Sequence, residues 1–241
     1  MARFLFAIPP FWGHINPTLS IGRTLLERGH QVAWAGMTLL KTELLPTGGQ
    51  YFHLKRTEEK NKEEIDRIVE LQNKGANMPA LEALKLGLED TYVPFAKMMM
   101  DEFNEVTDIF KPDAIVNDCI TFAGSLSAHI KQIPCATITP ITPNALHDPK
   151  TAPLVTEWIH NHISELQKSV GIEEEGEFVQ SQQLNMYYTS QKFAGYDNAM
   201  IPPHMKFIGA LTGRPDSTPF DWDRLKKAGT PIVYVSIGTV L

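Results

Sequence analysis

Residues 3–17 read RFLFAIPPFWGHINP, and this stretch decides the class of fold. Arg3 to Ile8 is a run of strand length, apolar from Phe4 onward and closed by Pro9-Pro10, and such an apolar run marks a strand covered on both faces. Asn16-Pro17 then places a capping residue before the proline that a first helical turn tolerates. Leu19, Gly22, Leu25 and Leu26 follow at the spacing of one helix face, and Gly29 closes the helix. A buried strand that leads into an amphipathic helix is the start of a β–α unit.

The unit repeats along the chain. Gln31 to Ala35 is a second strand, and Tyr51 to Leu54 a third, after a helical stretch around Leu39 to Leu45. Lys55 to Asn77 is charged and weakly periodic (Ile65, Ile68, Val69), and reads as a surface excursion. Pro94 starts a helix on which Phe95, Met98, Met99, Glu102, Phe103, Val106, Ile109 and Phe110 follow helical spacing, with its methionines as core filler. Ala114 to Val116, Pro134 to Ile138, Leu184 to Tyr188 and Met205 to Ile208 supply further strands. Helices near Phe122 to Lys131 and Val155 to Leu166 lie between them, and the acidic run Glu173 to Glu177 reads as a solvated loop. Strands alternating with helical segments predict an α/β fold with a doubly wound, Rossmann-like parallel sheet.

Composition removes several functional classes. A hydrophobic share of 43% against 21% charged belongs to a folded globular chain, and the net charge of −6 argues against nucleic acid as a partner. No apolar run approaches the roughly 20 residues of a membrane span, though peripheral membrane contact stays open. The first residues make too short an apolar region for a signal peptide, so a cytoplasmic location is expected. Cys119 and Cys135 offer neither a disulfide framework nor a Cys-x-x-Cys pair, and both read as core thiols.

Strand order in such a sheet puts strand one beside strand four, and ligands bind beyond the carboxyl ends where the order reverses. The segment after strand one holds Phe11, Trp12, Gly13 and His14, and that after strand four holds Asn117-Asp118-Cys119. A carboxylate that accepts from one imidazole nitrogen fixes the tautomer and leaves the other basic, so His14 with Asp118 is a candidate general base. Plainer roles exist for each residue: a solvated loop histidine, and an aspartate capping the next helix.

Two decoys are set aside. Asp221-Trp222-Asp223 has the Asp-x-Asp spacing of a divalent-ion site but lies in linker-like sequence, and His160 and His162, two apart, do not share a helix face. There is no Walker A loop and no Gly-x-Gly-x-x-Gly after strand one.

The motif Pro9-x-x-x-Gly13-His14-x-x-Pro17, with Leu26-x-x-Arg28-Gly29-His30, resembles the opening of GT-B glycosyltransferases of the UDP-glycosyltransferase (GT1) family, including macrolide and carotenoid (zeaxanthin) glycosyltransferases. Pro112 to Asp118 resembles that family's strand with the orienting aspartate. Phe207-Ile208-Gly209 resembles its segment before the interdomain linker, and Val233 to Thr239 the first strand of its donor domain. The resemblance implies an inverting hexose transfer from a nucleoside-diphosphate sugar to a hydroxyl, with His14 as base and Asp118 holding it. It also implies an acceptor-binding domain over residues 1–210, a linker over 211–230, and the first strand of a donor domain over 231–241. Gly238 and Thr239 match positions near the donor phosphates, or form a plain turn. Phe11, Trp12 and Gly13 would face a small, hydrophobic acceptor, or pack. No metal or other cofactor is expected, and this length alone is expected to fold without transferring sugar. The rival classes are a non-catalytic GT-B-like binding or auxiliary protein and a sugar-nucleotide epimerase.

Overall fold

The computed structural model describes residues 1–38, 40, 42–74, 78–140, 152–196, 201–210, 221–227, 229–233 and 235. The strands are β1 (Arg3–Ala7), β2 (Gln31–Gly36), β3 (Gln50–His53), β4 (Ala114–Asp118), β5 (Cys135–Thr139), β6 (Leu184–Tyr187) and β7 (Met205–Phe207). They form one sheet in the order β3-β2-β1-β4-β5-β6-β7, and every neighbouring pair is parallel. The expected doubly wound α/β class is the one observed. The central strands β1, β2 and β4 read as largely apolar runs because helices cover both faces of the sheet.

The two faces bury separate cores. On one face α1 (Trp12–Glu27) packs Ile15 and Leu19 on Phe6, Trp34 and Val116. The Trp34 indole is fully buried there, stacks on Phe6 at 5.3 Å between centroids, and donates Nε1–H to Thr18 Oγ1 at 2.9 Å. On the other face α5 (Val93–Phe110), α6 (Phe122–Ile130) and α7 (Pro153–Ser169) cover Leu5, Ala7 and Ile115. Phe95, Met99, Phe103 and Phe110 of α5 are buried, so its methionines are core filler as read; Ile109, on the same apparent stripe, is 69% exposed. Gly124 of α6 lets that helix press on the sheet beside the site: a Cβ there would stand 2.3 Å from Asn117 Oδ1 and 2.5 Å from the Ala7 Cβ.

Four regions depart from the sequence reading. Helix α1 begins at Trp12 instead of Asn16, so Pro17 lies inside it. Proline there removes only the N–H that would reach the Gly13 carbonyl, a small loss so close to the helix start. The charged segment after Leu54 is helical, as α2 (Lys55–Lys60) and α3 (Lys62–Lys74). Ile65 and Ile68 anchor α3 in the core, and Lys55–Glu59, Lys62–Asp66 and Glu64–Arg67 pairs line the exposed sides. A helix α4 (Ala80–Gly87) and one π-helical turn (Leu88–Tyr92) precede α5. The helical stretch near Leu39 contracts to a 3-10 turn at Thr42–Leu44. Short helices α8 (Gln191–Ala194) and α9 (Trp222–Lys227) complete the described chain. The Asp-x-Asp decoy has a structural role at α9, where Asp221 Oδ1 accepts from Arg224 N–H at 2.9 Å. Gly238 and Thr239 lie outside the described residues, as do residues 211–220 of the expected linker.

Candidate active site

The crossover from β1 to β4 brings His14 and Asp118 together across a sequence separation of 104 residues. His14 stands in the first turn of α1, and Asp118 is the last residue of β4. His14 Nδ1 is 3.0 Å from both Asp118 Oδ1 and Oδ2. Asp118 is fully buried, and Oδ1 also accepts the Ile120 N–H at 3.1 Å, which fixes the carboxylate from the turn that follows its strand. An ionised carboxylate only accepts, so Nδ1 carries the proton and donates. Nε2 is left as the basic nitrogen, in a side chain 18% exposed. A hydrogen-bonded base with one ring nitrogen fixed can take a proton from a substrate hydroxyl.

The groups around this pair are kept neutral. Burial, and then the Asp118 charge, push the Cys119 thiol well above its ordinary range, which leaves it protonated and a poor nucleophile. Burial likewise raises the Tyr92 and Tyr188 phenols, with Cys119 and Asp118 adding to both. His14, Asp118 and Cys119 have ligand atoms within 4.8 Å of one another and would make a candidate metal group by composition. Nδ1 already serves Asp118 and the thiol holds its proton, so an ion ligated by Cys119 would have to displace that proton.

Phe11, the residue before α1, packs against the core at 6.0 Å from the Phe95 ring and turns an edge toward His14 at 6.4 Å. Trp12 is 41% exposed, and Gly13 lies within the first turn of α1. None of the three lines the cavity that opens beside the pair. That cavity, about 700 Å³, begins at Cys119 and runs along the sheet under α7. Leu84 and Leu88, Tyr92, Phe122, Ile159 and Ile163 give it an apolar wall, while Thr139 and Asn185 contribute polar side chains from β5 and β6. These residues were missed from sequence. The one legible signal is a polar residue within an otherwise apolar strand, as in Cys135-Ala-Thr-Ile-Thr139 and Leu184-Asn-Met-Tyr187.

No family model matches the chain. It is 23% identical over 273 residues to the 4'-demethylrebeccamycin synthase of Lentzea aerocolonigenes, matching 99% of this chain and 63% of that protein. It is 27% identical over 259 residues to the demethyllactenocin mycarosyltransferase of Streptomyces fradiae, matching all of this chain and 53% of that protein. Among solved structures, a glycotransferase of kitacinnamycin superposes with a TM-score of 0.64 at 17% identity, over 92% of this chain and 54% of that one. The fold matches that of the N-terminal half of GT-B glycosyltransferases. The resemblance to glycosyltransferases read from sequence therefore stands, and the chain spans between about half and two thirds of these relatives. No helix among the described residues is long and apolar enough to cross a membrane.

Proposed function

We propose that this domain is the acceptor-binding, base-supplying half of an inverting glycosyltransferase that moves a hexose from a nucleoside-diphosphate sugar to a hydroxyl of a small apolar acceptor. The observation that carries the reading is the buried Asp118 carboxylate on Nδ1 of His14, next in the chain to Cys119, which lines a largely apolar cavity. The acceptor lies in the cavity with its hydroxyl at Nε2. As the acceptor oxygen bonds to the anomeric carbon, the bond from that carbon to the diphosphate oxygen breaks, and the hydroxyl proton passes to Nε2. Asp118 stabilises the imidazolium that results. A positioned base contributes on the order of 100 to 10,000-fold, and orientation and leaving-group stabilisation supply the rest.

Binding of the sugar nucleotide is assigned to sequence outside these 241 residues, so the chain alone should hold an acceptor without transferring sugar to it. The test joins this domain to a complete donor domain and follows glycosylation of a phenol panel with and without His14→Ala. An unchanged rate in the variant ends the base assignment. Calorimetry of the 241-residue chain with nucleotide sugars makes the second check, because micromolar donor binding would show that the donor site had been assigned to the wrong half. Conversion of the sugar nucleotide without any acceptor would instead identify an epimerase.

A further inference from the structure

Among the described residues that line the cavity, Glu177 is the one carboxylate; His204 is the one imidazole, and no lysine or arginine accompanies them. Glu177 is not a freely solvated member of the acidic run. The buried Gln167 of α7 brackets it: Gln167 Nε2 donates to the Gly176 carbonyl at 2.9 Å, and Gln167 Oε1 accepts the Phe178 N–H at 2.7 Å. The Glu177 carbonyl accepts from Gln182 Nε2 at 2.9 Å. These bonds pin the backbone on both sides of one side chain, while Glu173, Glu174 and Glu175 lie off the cavity wall.

The Glu177 side chain is half-exposed, and its Oε1 lies 3.1 Å from Nδ1 of His160. A carboxylate has about four lone-pair sites, so one imidazole N–H leaves it acceptors to spare. Tyr187 and Tyr196 line the same cavity, and both rest on Phe207, at 5.6 and 5.7 Å between ring centroids. Aromatic rings attract an organic cation through their quadrupole, and a carboxylate attracts it through charge. At the Cys119 end the sign is the same: after burial, the Asp118 charge is what pushes that thiol up. A ligand anion would meet like charge at both ends with no basic side chain to offset it, whereas an ammonium meets an acceptor already held in place.

We infer that Glu177 is a specificity-determining residue: it selects an apolar, ring-built ligand that carries an ammonium group and discriminates against a carboxylate of the same shape. The ammonium is recognised at Glu177, apart from the His14–Asp118 pair. This rests on the reading of the cavity as the acceptor site.

The probes are biphenyl-4-methylamine, biphenyl-4-methanol and biphenyl-4-carboxylate, which share one apolar body and carry a positive, no and a negative charge. Titration calorimetry on the 241-residue chain at about pH 8, above the ordinary imidazole range, should give the amine about tenfold tighter binding than the carboxylate, with the alcohol between them. Glu177→Gln leaves the backbone bonds to Gln167 and Gln182 in place and should bring the amine down to the level of the alcohol. In the unaltered chain, added sodium chloride should narrow the gap between amine and carboxylate. A carboxylate that binds as tightly as the amine, an amine preference that survives Glu177→Gln, or a gap indifferent to salt would each overturn selection by Glu177 while leaving the acceptor reading intact. Failure of the folded chain to bind any of the three would remove the acceptor reading, and the selection with it.

Discussion

Gly22→Ala tests whether α1 is seated on the sheet as described, because two opposing effects of known size meet at that residue. Alanine in a helix interior is favoured over glycine by about 1 kcal/mol. Against this, a Cβ at position 22 would stand 2.1 Å from Cζ2 and 2.4 Å from Cη2 of Trp34, more than an ångström inside ordinary contact. The ring cannot retreat. Its Nε1–H is bonded to Thr18, Phe6 stacks on it, and Gly49 approaches from a further direction, where an added Cβ would stand only 2.8 Å from Cζ3. Trp34 is thus wedged between two glycines, and relief must come from lifting α1 or breaking the indole bond. Overpacking of this kind costs about 1 to 3 kcal/mol and at times more, and a lost hydrogen bond adds about 1, so the clash exceeds the propensity gain. We expect a net loss of about 1 to 3 kcal/mol, which at this chain length lowers Tm by several degrees, at about 2 to 4 °C per kcal/mol. Urea unfolding followed by tryptophan fluorescence measures it. A variant as stable as the parent, or more so, would show that α1 does not rest on Trp34 in this way. His14 would then not be delivered to Asp118 by that packing.

Further expectations concern the site itself. Asp118→Asn should leave the fold in place but replace a carboxylate that only accepts with an amide that can either accept from Nδ1–H or donate to a bare Nδ1. Nitrogen NMR of His14 should then show a mixed tautomer, and transfer in a two-domain form should fall by about three to four orders of magnitude; a single unchanged tautomer would refute the pairing. Gly124→Ala should destabilise the domain by driving a Cβ into Asn117 and Ala7, and circular dichroism melts that match the parent would contradict the close approach of α6. Burial holds the Tyr187 phenol up at about 12 from an ordinary 10.0, so the folded state keeps a proton that the unfolded chain releases. The contribution of that proton to stability is complete below pH 10 and is lost as pH climbs from 10 toward 12, so the urea midpoint should fall more steeply over that window in the parent than in Tyr187→Phe. Parallel curves would count against a desolvated phenol.

Legibility in the sequence follows how local each determinant is. The strands could be read because a parallel strand covered on both faces needs apolar residues in series, and Phe4 to Ala7, Val32 to Ala35 and Ile115-Val116 supply them. The His14–Asp118 pair could be read because strand order is itself a rule: once strand one neighbours strand four, their carboxyl ends share a crevice whatever lies between them. The start of α1 was misplaced because Phe11 caps without a side-chain bond, so the chain announces no boundary until the proline already inside the helix. The charged helices α2 and α3 were hidden because much of their support comes from ion pairs one turn apart, with few apolar anchors. The cavity is the least local feature of all. Its wall draws Leu84 from α4, Leu88 and Tyr92 from the π-helical turn, Ile159 from α7, and Thr139 and Asn185 from two strands. No spacing rule joins these residues, so the sequence expectation fell on Phe11 and Trp12, which adjoin the base in the chain. A base can be fixed by two residues at neighbouring strand ends, whereas a binding surface is shared among elements that meet only in the folded domain. On the proposed reading, the identity of the acceptor is therefore to be sought in the residues that line this cavity, more than in the motif that carries His14.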